Sequence, residues 1–129
     1  MAKKILLIDD DPLVLKAIRK LLEREGYFID TAKCAKEAVE KVEVQEFQLI
    51  ICDIRMPGID GIDLIGDIRR IRKDENKPDI PVIFITGYAS EDAPAKAEKL
   101  GAKDYILKPF DIDKLLNSVK ESLADRDGL

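Results

Sequence analysis

The 129-residue sequence predicts an α/β fold, a doubly wound five-stranded parallel sheet of order 2-1-3-4-5 flanked by five helices. Three observations predict it. Short apolar runs such as Ile5-Leu6-Leu7-Ile8 and Leu49-Ile50-Ile51-Cys52 read as strands buried on both faces. These runs alternate strictly with stretches whose apolar residues recur at helical spacing, which implies parallel strands joined by right-handed helical crossovers. The length suits one domain, large enough to bury a core without a disulfide or zinc staple. Five β–α units suit the 2-1-3-4-5 order better than the longer orders of open α/β sheets.

Each element has its own signal. Ile5–Ile8 is the first strand. Leu13, Val14, Ala17, Ile18, Leu21 and Leu22 form the first helical stripe, and Gly26 stops it. Tyr27 to Ala32 is the second strand, and Ala35, Ala38, Val39 and Val42 make a weaker helical stripe. The third strand, from Leu49, ends on Asp53. Ile62, Leu64, Ile65, Ile68 and Ile71 give the third helix, with Lys73–Asp79 expected as a solvated loop. Pro81 to Thr86 is the fourth strand. An Ala-rich helix follows over 91–100, closed by Gly101. Pro94 is tolerable only in its first turn, so the helix should start near Asp92. The small apolar area of that stripe predicts a weakly held element. Tyr105-Ile106-Leu107 is the fifth strand, and Ile112, Leu115, Leu116, Val119 and Leu123 make the last helix. The domain is expected over 1–124, with 125–129 a tail or linker stub.

Composition removes several kinds of chemistry. There is no histidine, so Ser-His-Asp, Cys-His and His-zinc sites are excluded, and two cysteines cannot build a tetrahedral zinc site. A net charge of −4 argues against nucleic acid as a direct ligand, because phosphate backbones need clustered Lys and Arg. The apolar run after Met1-Ala2-Lys3-Lys4 is too short for an export signal or a membrane span. A cytoplasmic location is expected, with Cys34 and Cys52 as free thiols.

In sheets of this kind, ligands sit beyond the carboxyl ends of the strands, where the strand order reverses. Strand one leads into Asp9-Asp10-Asp11 and strand three ends on Asp53, so the topology brings carboxylates together from distant sequence. Asp11 before Pro12 has the pattern of a helix cap. The others would repel one another without a cation. All-oxygen donors with no histidine or thiolate suit a hard ion, and an open site of few carboxylates suits Mg²⁺. Thr86 at the end of strand four and Lys108 after strand five point into the same crevice. A hydroxyl and an ammonium beside a metal and a nucleophilic carboxylate make a phosphoryl site. Pro57-Gly58 suits a type II turn, which leaves the Arg55 carbonyl free to face the ion. A cis Lys108–Pro109 peptide would aim the ammonium inward, although such bonds are rare.

Taken together, Asp9-Asp10 in ILLIDD, Asp53 in DIRMPGIDG, Thr86 in VIFITG and Lys108 in YILKPF resemble the receiver domain of two-component response regulators, from Lys4 to about Ala124. The resemblance implies a flavodoxin-like fold of receiver type and a phospho-acceptor at Asp53. It implies Mg²⁺, with Mn²⁺ as a substitute, held directly by Asp10, Asp53 and the Arg55 backbone carbonyl and through water by Asp9. It places Thr86 and Lys108 on the phosphoryl group and makes Lys108–Pro109 cis. Thr86 and Tyr105 become the switch pair, and Arg55, Gly87 and Tyr88 flank the path of hydrolytic water and tune phosphoryl lifetime. The implied donor is a sensor histidine kinase or phosphotransfer protein. Phosphorylation would then change the face of helix four, strand five and helix five, which meets an attached output domain, a target protein or a second copy in a homodimer. No membrane contact is implied. The chain would not be an enzyme toward other molecules, its chemistry being limited to phosphoryl uptake and loss at Asp53.

Three other readings share the architecture. An Asp-nucleophile phosphatase would use the D-x-D spacing in Asp9-Asp10-Asp11, but Pro12-Leu13 does not continue its pattern and the 129 residues leave no room for a cap domain over a substrate. A flavin mononucleotide carrier needs a Ser/Thr/Gly-rich phosphate loop after strand one, where this chain has three aspartates. A binding module of the same shape that is never phosphorylated would not need all five site residues.

Overall fold

The computed structural model describes residues 2–87 and 90–124. Tyr88 and the expected tail 125–129 lie outside the described residues. The elements run β1 (Lys4–Ile8), α1 (Pro12–Arg24), β2 (Phe28–Ala32), α2 (Ala35–Val44), β3 (Leu49–Asp53), α3 (Gly61–Asp74), β4 (Val82–Thr86), α4 (Ala93–Lys99), β5 (Asp104–Leu107) and α5 (Ile112–Ala124). The five strands form one sheet in the order β2-β1-β3-β4-β5, and every pairing is parallel. Among the described residues no helix is long and apolar enough to cross a membrane.

Strand alternation divides the core in two. Leu6, Ile8, Ile50, Cys52, Val82 and Phe84 pack with α2, α3 and α4 on one face. Ile5, Leu7, Leu49, Ile51, Ile83 and Ile85 pack with α1 and α5 on the other. Successive side chains point to opposite faces, so a strand covered on both sides must be apolar at every position. β3 and β4 are buried along their whole length for that reason.

The helix boundaries follow local chemistry. Asp11 caps α1, its carboxylate accepting from the Leu13 N–H at 2.9 Å, with Pro12 in the first turn. Asp60 caps α3 by accepting from Ile62 N–H at 2.7 Å. α4 follows Asp92, with Pro94 in its first turn. Asp92 makes no side-chain cap bond, and only Ala93 and Ala97 of α4 are buried. That is little apolar area for an element to hold itself by.

The 73–79 segment is exposed except at the half-buried Lys77, as a solvated loop should be, but its boundary and its anchoring differ from the expectation. α3 continues to Asp74, and Arg72 on its last turn is almost wholly buried. The Arg72 Nε donates to the Pro78 carbonyl at 2.8 Å, and a terminal nitrogen lies 3.3 Å from Glu46. The loop is therefore anchored from beneath. A guanidinium in a run of charged residues gives no sequence signal of this, because its burial depends on a carbonyl six residues on and a carboxylate from the turn between α2 and β3. Cys34 and Cys52 are both free thiols, the first exposed and the second buried.

Candidate functional site: an acidic crevice at the strand ends

The crevice lies where the strand order reverses, between β1 and β3. Asp9 follows β1 and is fully buried, with its N–H donating to the Ala32 carbonyl at 3.1 Å. Asp10 is exposed beside it. Asp53 is the last residue of β3 and is nearly buried. Carboxylate oxygens of Asp9, Asp10 and Asp53 all lie within 4.8 Å of one another. Lys108, just past β5, closes the fourth side. Its Nζ donates to Asp9 Oδ2 at 3.0 Å and stands 4.0 Å from Asp53 Oδ2. Asp9 Oδ1 accepts from the Asp11 N–H at 2.9 Å, so both of its oxygens have protein partners.

Alternation explains this meeting. Ile5, Leu7, Leu49, Ile51 and Ile106 face the α1 and α5 side. Continuing each count by two carries Asp9, Asp53 and Lys108 to that same side of the sheet. The acids and the ammonium then line a pocket of about 380 Å³ together with Asp11, Arg55 and Gly87.

Burial is the largest influence on Asp53 and disfavours its charged form. Asp9 pushes the same way. Lys108 and the Arg55 backbone hydrogen bond pull back, and Asp10 adds a further push. The Asp53 carboxyl ends up raised to about 6. The buried Cys52 thiol is pushed well above its ordinary range by burial, then by Asp53, Asp9 and Asp60, which keeps it in the unreactive thiol form.

Thr86 and Tyr105 are not in the acidic pocket. Thr86 belongs to the opposite alternation, with Val82 and Phe84, and it opens into a neighbouring cleft of about 310 Å³ lined by Ile54, Arg55, Met56, Asp92 and Lys96 among others. Arg55 lines both spaces. Tyr105 pairs in register with Phe84, so it shares Thr86's face and packs on the α3–α4 side of the core. Its hydroxyl is buried and has no hydrogen-bond partner. Gly58 has φ +89°, as the third residue of a type II turn after Pro57 requires, and the Lys108–Pro109 peptide is cis.

The response regulator receiver domain family matches residues 5–120. This chain belongs to that family.

The receiver domain is 40% identical over 120 residues to the transcriptional regulatory protein ZraR of Klebsiella oxytoca, covering 93% of this chain and 26% of that relative. It therefore spans about a quarter of the length of that curated protein. A solved CheY-like receiver from Methanospirillum hungatei superposes with a TM-score of 0.88 at 33% identity, covering 98% of each chain. The response regulator TrrA of Thermotoga maritima, solved in complex with Mg²⁺–BeF, superposes at 0.80 with 36% identity, covering 94% of this chain and 99% of that one. The receiver domain is thus a two-component signalling domain, and phosphorylation on aspartate is the general property of its family.

Two residues of this receiver domain escaped the sequence reading. Asp60 holds the first turn of α3, and Gly61 lies against the end of β3. An aspartate followed by an apolar helical stripe is a cap signal that was there to be read. Nothing local announces the closeness of Gly61 to Asp53.

Proposed function

We propose that Asp53 is the phospho-acceptor of this receiver domain and that Asp10, Asp53 and the Arg55 carbonyl hold Mg²⁺, with Asp9 acting through water. One observation carries the reading: the carboxylates that follow β1 and end β3 crowd within 4.8 Å, beside the Lys108 ammonium. An all-oxygen donor set of this density fits a hard divalent ion, with Mn²⁺ as a substitute. When bound, Mg²⁺ would neutralise charge on the phosphoryl oxygens.

The chain's own residues supply the rest. A phosphoryl group moves from a partner's phosphohistidine to an Asp53 carboxylate oxygen. The P–N bond breaks with its electron pair left on the imidazole, and a P–O bond forms. Asp53 must be ionised to attack, and with its carboxyl held near 6 it is mostly so at neutral pH. The Lys108 ammonium, already 4.0 Å from Asp53, meets the incoming equatorial oxygens. Thr86, on β4, turns toward the new dianion and offers its hydroxyl. Its departure changes the space beside Tyr105 on the same sheet face, which biases the packing of α4, β5 and α5. Arg55 and Gly87, which line the acidic pocket, and Tyr88 tune the lifetime of the aspartyl phosphate.

The donor is a sensor histidine kinase or phosphotransfer protein. The recipient of the signal on the α4–β5–α5 face is an attached output domain, a target protein or a second copy. The setting is cytoplasmic, with no membrane or direct nucleic-acid contact by this domain. The reaction ends at the chain's own aspartate, so this is a switch and not an enzyme for other substrates.

Acetyl phosphate with Mg²⁺ tests the assignment by intact-mass spectrometry. The wild type gains one phosphate and Asp53→Asn gains none. Equal modification of both overturns the acceptor. Lys108→Ala is expected to accept phosphate while changing its α4–β5–α5 amide signals far less than the wild type.

A further inference from the structure

β3 ends against a glycine. Gly61 opens α3, and its N–H donates to the Ile54 carbonyl at 2.6 Å. A Cβ built on Gly61 would lie inside contact distance of the Asp53 carbonyl oxygen and 3.0 Å from both the Asp53 carbonyl carbon and Cys52 Sγ. The Cys52 thiol donates to that same Asp53 carbonyl at 3.2 Å. Asp60 secures the turn by accepting from Ile62 N–H at 2.7 Å and Asp63 N–H at 3.3 Å. The other described glycines differ. A Cβ at Gly26, Gly58, Gly66 or Gly101 meets nothing within 4 Å, and one at Gly87 meets only Lys108 side-chain carbons at 3.9 and 4.0 Å. Gly61 is also not among the positive-φ glycines, so it is there for room and not for conformational freedom.

We infer that Gly61 is a positioning residue: it lets the first turn of α3 close onto the main chain of Asp53 and Ile54, which locks the Asp53 carboxylate and the Arg55 carbonyl into one frame. This rests on the reading of Asp53 as acceptor and the Arg55 carbonyl as a metal ligand. The loop 54–60 carries Arg55 and is tied at both ends, by Ile54 N–H to the Ile85 carbonyl at 3.1 Å and by Gly61 N–H to the Ile54 carbonyl. A methyl group at 61 forces the helix and β3 apart by roughly 1 Å or more to restore ordinary carbon–oxygen separation. β3 is buried and paired on both sides, so α3 and the loop give way. Arg55 then moves relative to Asp53 while Asp9, Asp10 and Lys108, which follow β1 and β5, stay.

The experiment compares wild type and Gly61→Ala in the full 129-residue chain. Mg²⁺ affinity is read by NMR titration. The acetyl phosphate reaction is followed at saturating Mg²⁺, and the folded fraction is read by circular dichroism. Folded Gly61→Ala is expected to bind Mg²⁺ about tenfold more weakly, as when a group supporting a metal ligand is lost. It should take up phosphate about 100-fold more slowly, as for a misplacement of about 1 Å. A merely structural role would lower the melting temperature and leave both values of the folded fraction at wild type, which overturns the inference. Adding Cys52→Ala removes the sulfur and leaves the carbonyl, so the defect persists; rescue by that change overturns the main-chain assignment. Should Gly61→Ala not fold, Asp60→Ala loosens the same closure without adding an atom. It must weaken Mg²⁺ binding severalfold, and unchanged binding overturns the inference. A wild-type chain that takes up no phosphate overturns the acceptor reading itself, and the Gly61 inference falls with it.

Discussion

Two aspartates, Asp30 and Asp53, each lie on a strand near a lysine, and they are treated in opposite ways. Asp30 on the edge strand β2 accepts from Lys41 Nζ at 2.6 Å, from Gln45 Nε2 at 3.0 Å and from the Thr31 N–H at 2.9 Å. Burial pushes its carboxyl up, but those hydrogen bonds outweigh it and the carboxyl ends below its ordinary range. Asp53 on the central strand β3 has its lysine at 4.0 Å and the Asp9 and Asp10 carboxylates, just past β1, within 4.8 Å, and its carboxyl rises to about 6. The edge site is saturated and can do no more than hold α2 to β2. The central site is left under-compensated, a deficit of the kind that a bound divalent cation would offset.

The largest effect that sharpens this contrast is on stability. The native Asp53 keeps its proton up to about pH 6 while the unfolded chain releases it near 3.8, so the native state binds more protons between those values. Its contribution is therefore most favourable below the unfolded value and is lost as pH rises through about 6. Asp53→Asn is expected to stabilise the chain by about 2–3 kcal/mol at pH 7.5 in chelator, from a shift of about two pKa units, with the gain fading toward pH 4. Urea melts at several pH values check this, and a destabilised Asp53→Asn at neutral pH would break the comparison.

Next in size is the metal effect. For a dissociation constant on the order of 1 mM, Mg²⁺ at about 10 mM should stabilise the wild type by about 1.4 kcal/mol. Asp53→Asn should lose most of that gain, whereas Lys41→Ala should keep all of it. Thermal melts with and without Mg²⁺ read both.

Smallest is the edge site itself. Lys41→Ala removes an ion pair whose two side chains are each about one-third exposed, 31% and 32%. A partly exposed pair of this kind is worth about 0.5–1 kcal/mol, visible as a shift in urea midpoint with no change in Mg²⁺ binding or phosphate uptake. An effect on uptake would mean that the two sites are coupled.

The fold was legible because the strands are covered on both faces. Uninterrupted apolar runs such as Leu49–Cys52 and Val82–Ile85 can be little else between helical stripes, and strict alternation leaves few topologies. The acids at the strand ends were legible as positions, because ligands of such sheets gather where strand order reverses. Arg72 was not, since its partners Pro78 and Glu46 reach it only in three dimensions. The separation of Thr86 from the acids was missed for a different reason. It ends a strand as Asp53 does, yet the pairing of Asp53 with Ile85 places Thr86 one step out of phase and on the opposite face.

Residue order alone determined the number of strands, their direction, their neighbours and which of them lead into carboxylates, because hydrophobic periodicity and chain direction are local properties. Tertiary structure alone decided how near Asp9, Asp10, Asp53 and Lys108 stand, which cleft Thr86 faces, and that Gly61 must be bare. Those are distances between main chains far apart in sequence, and they arise only when the sheet's register and the docking of α3 are both in place.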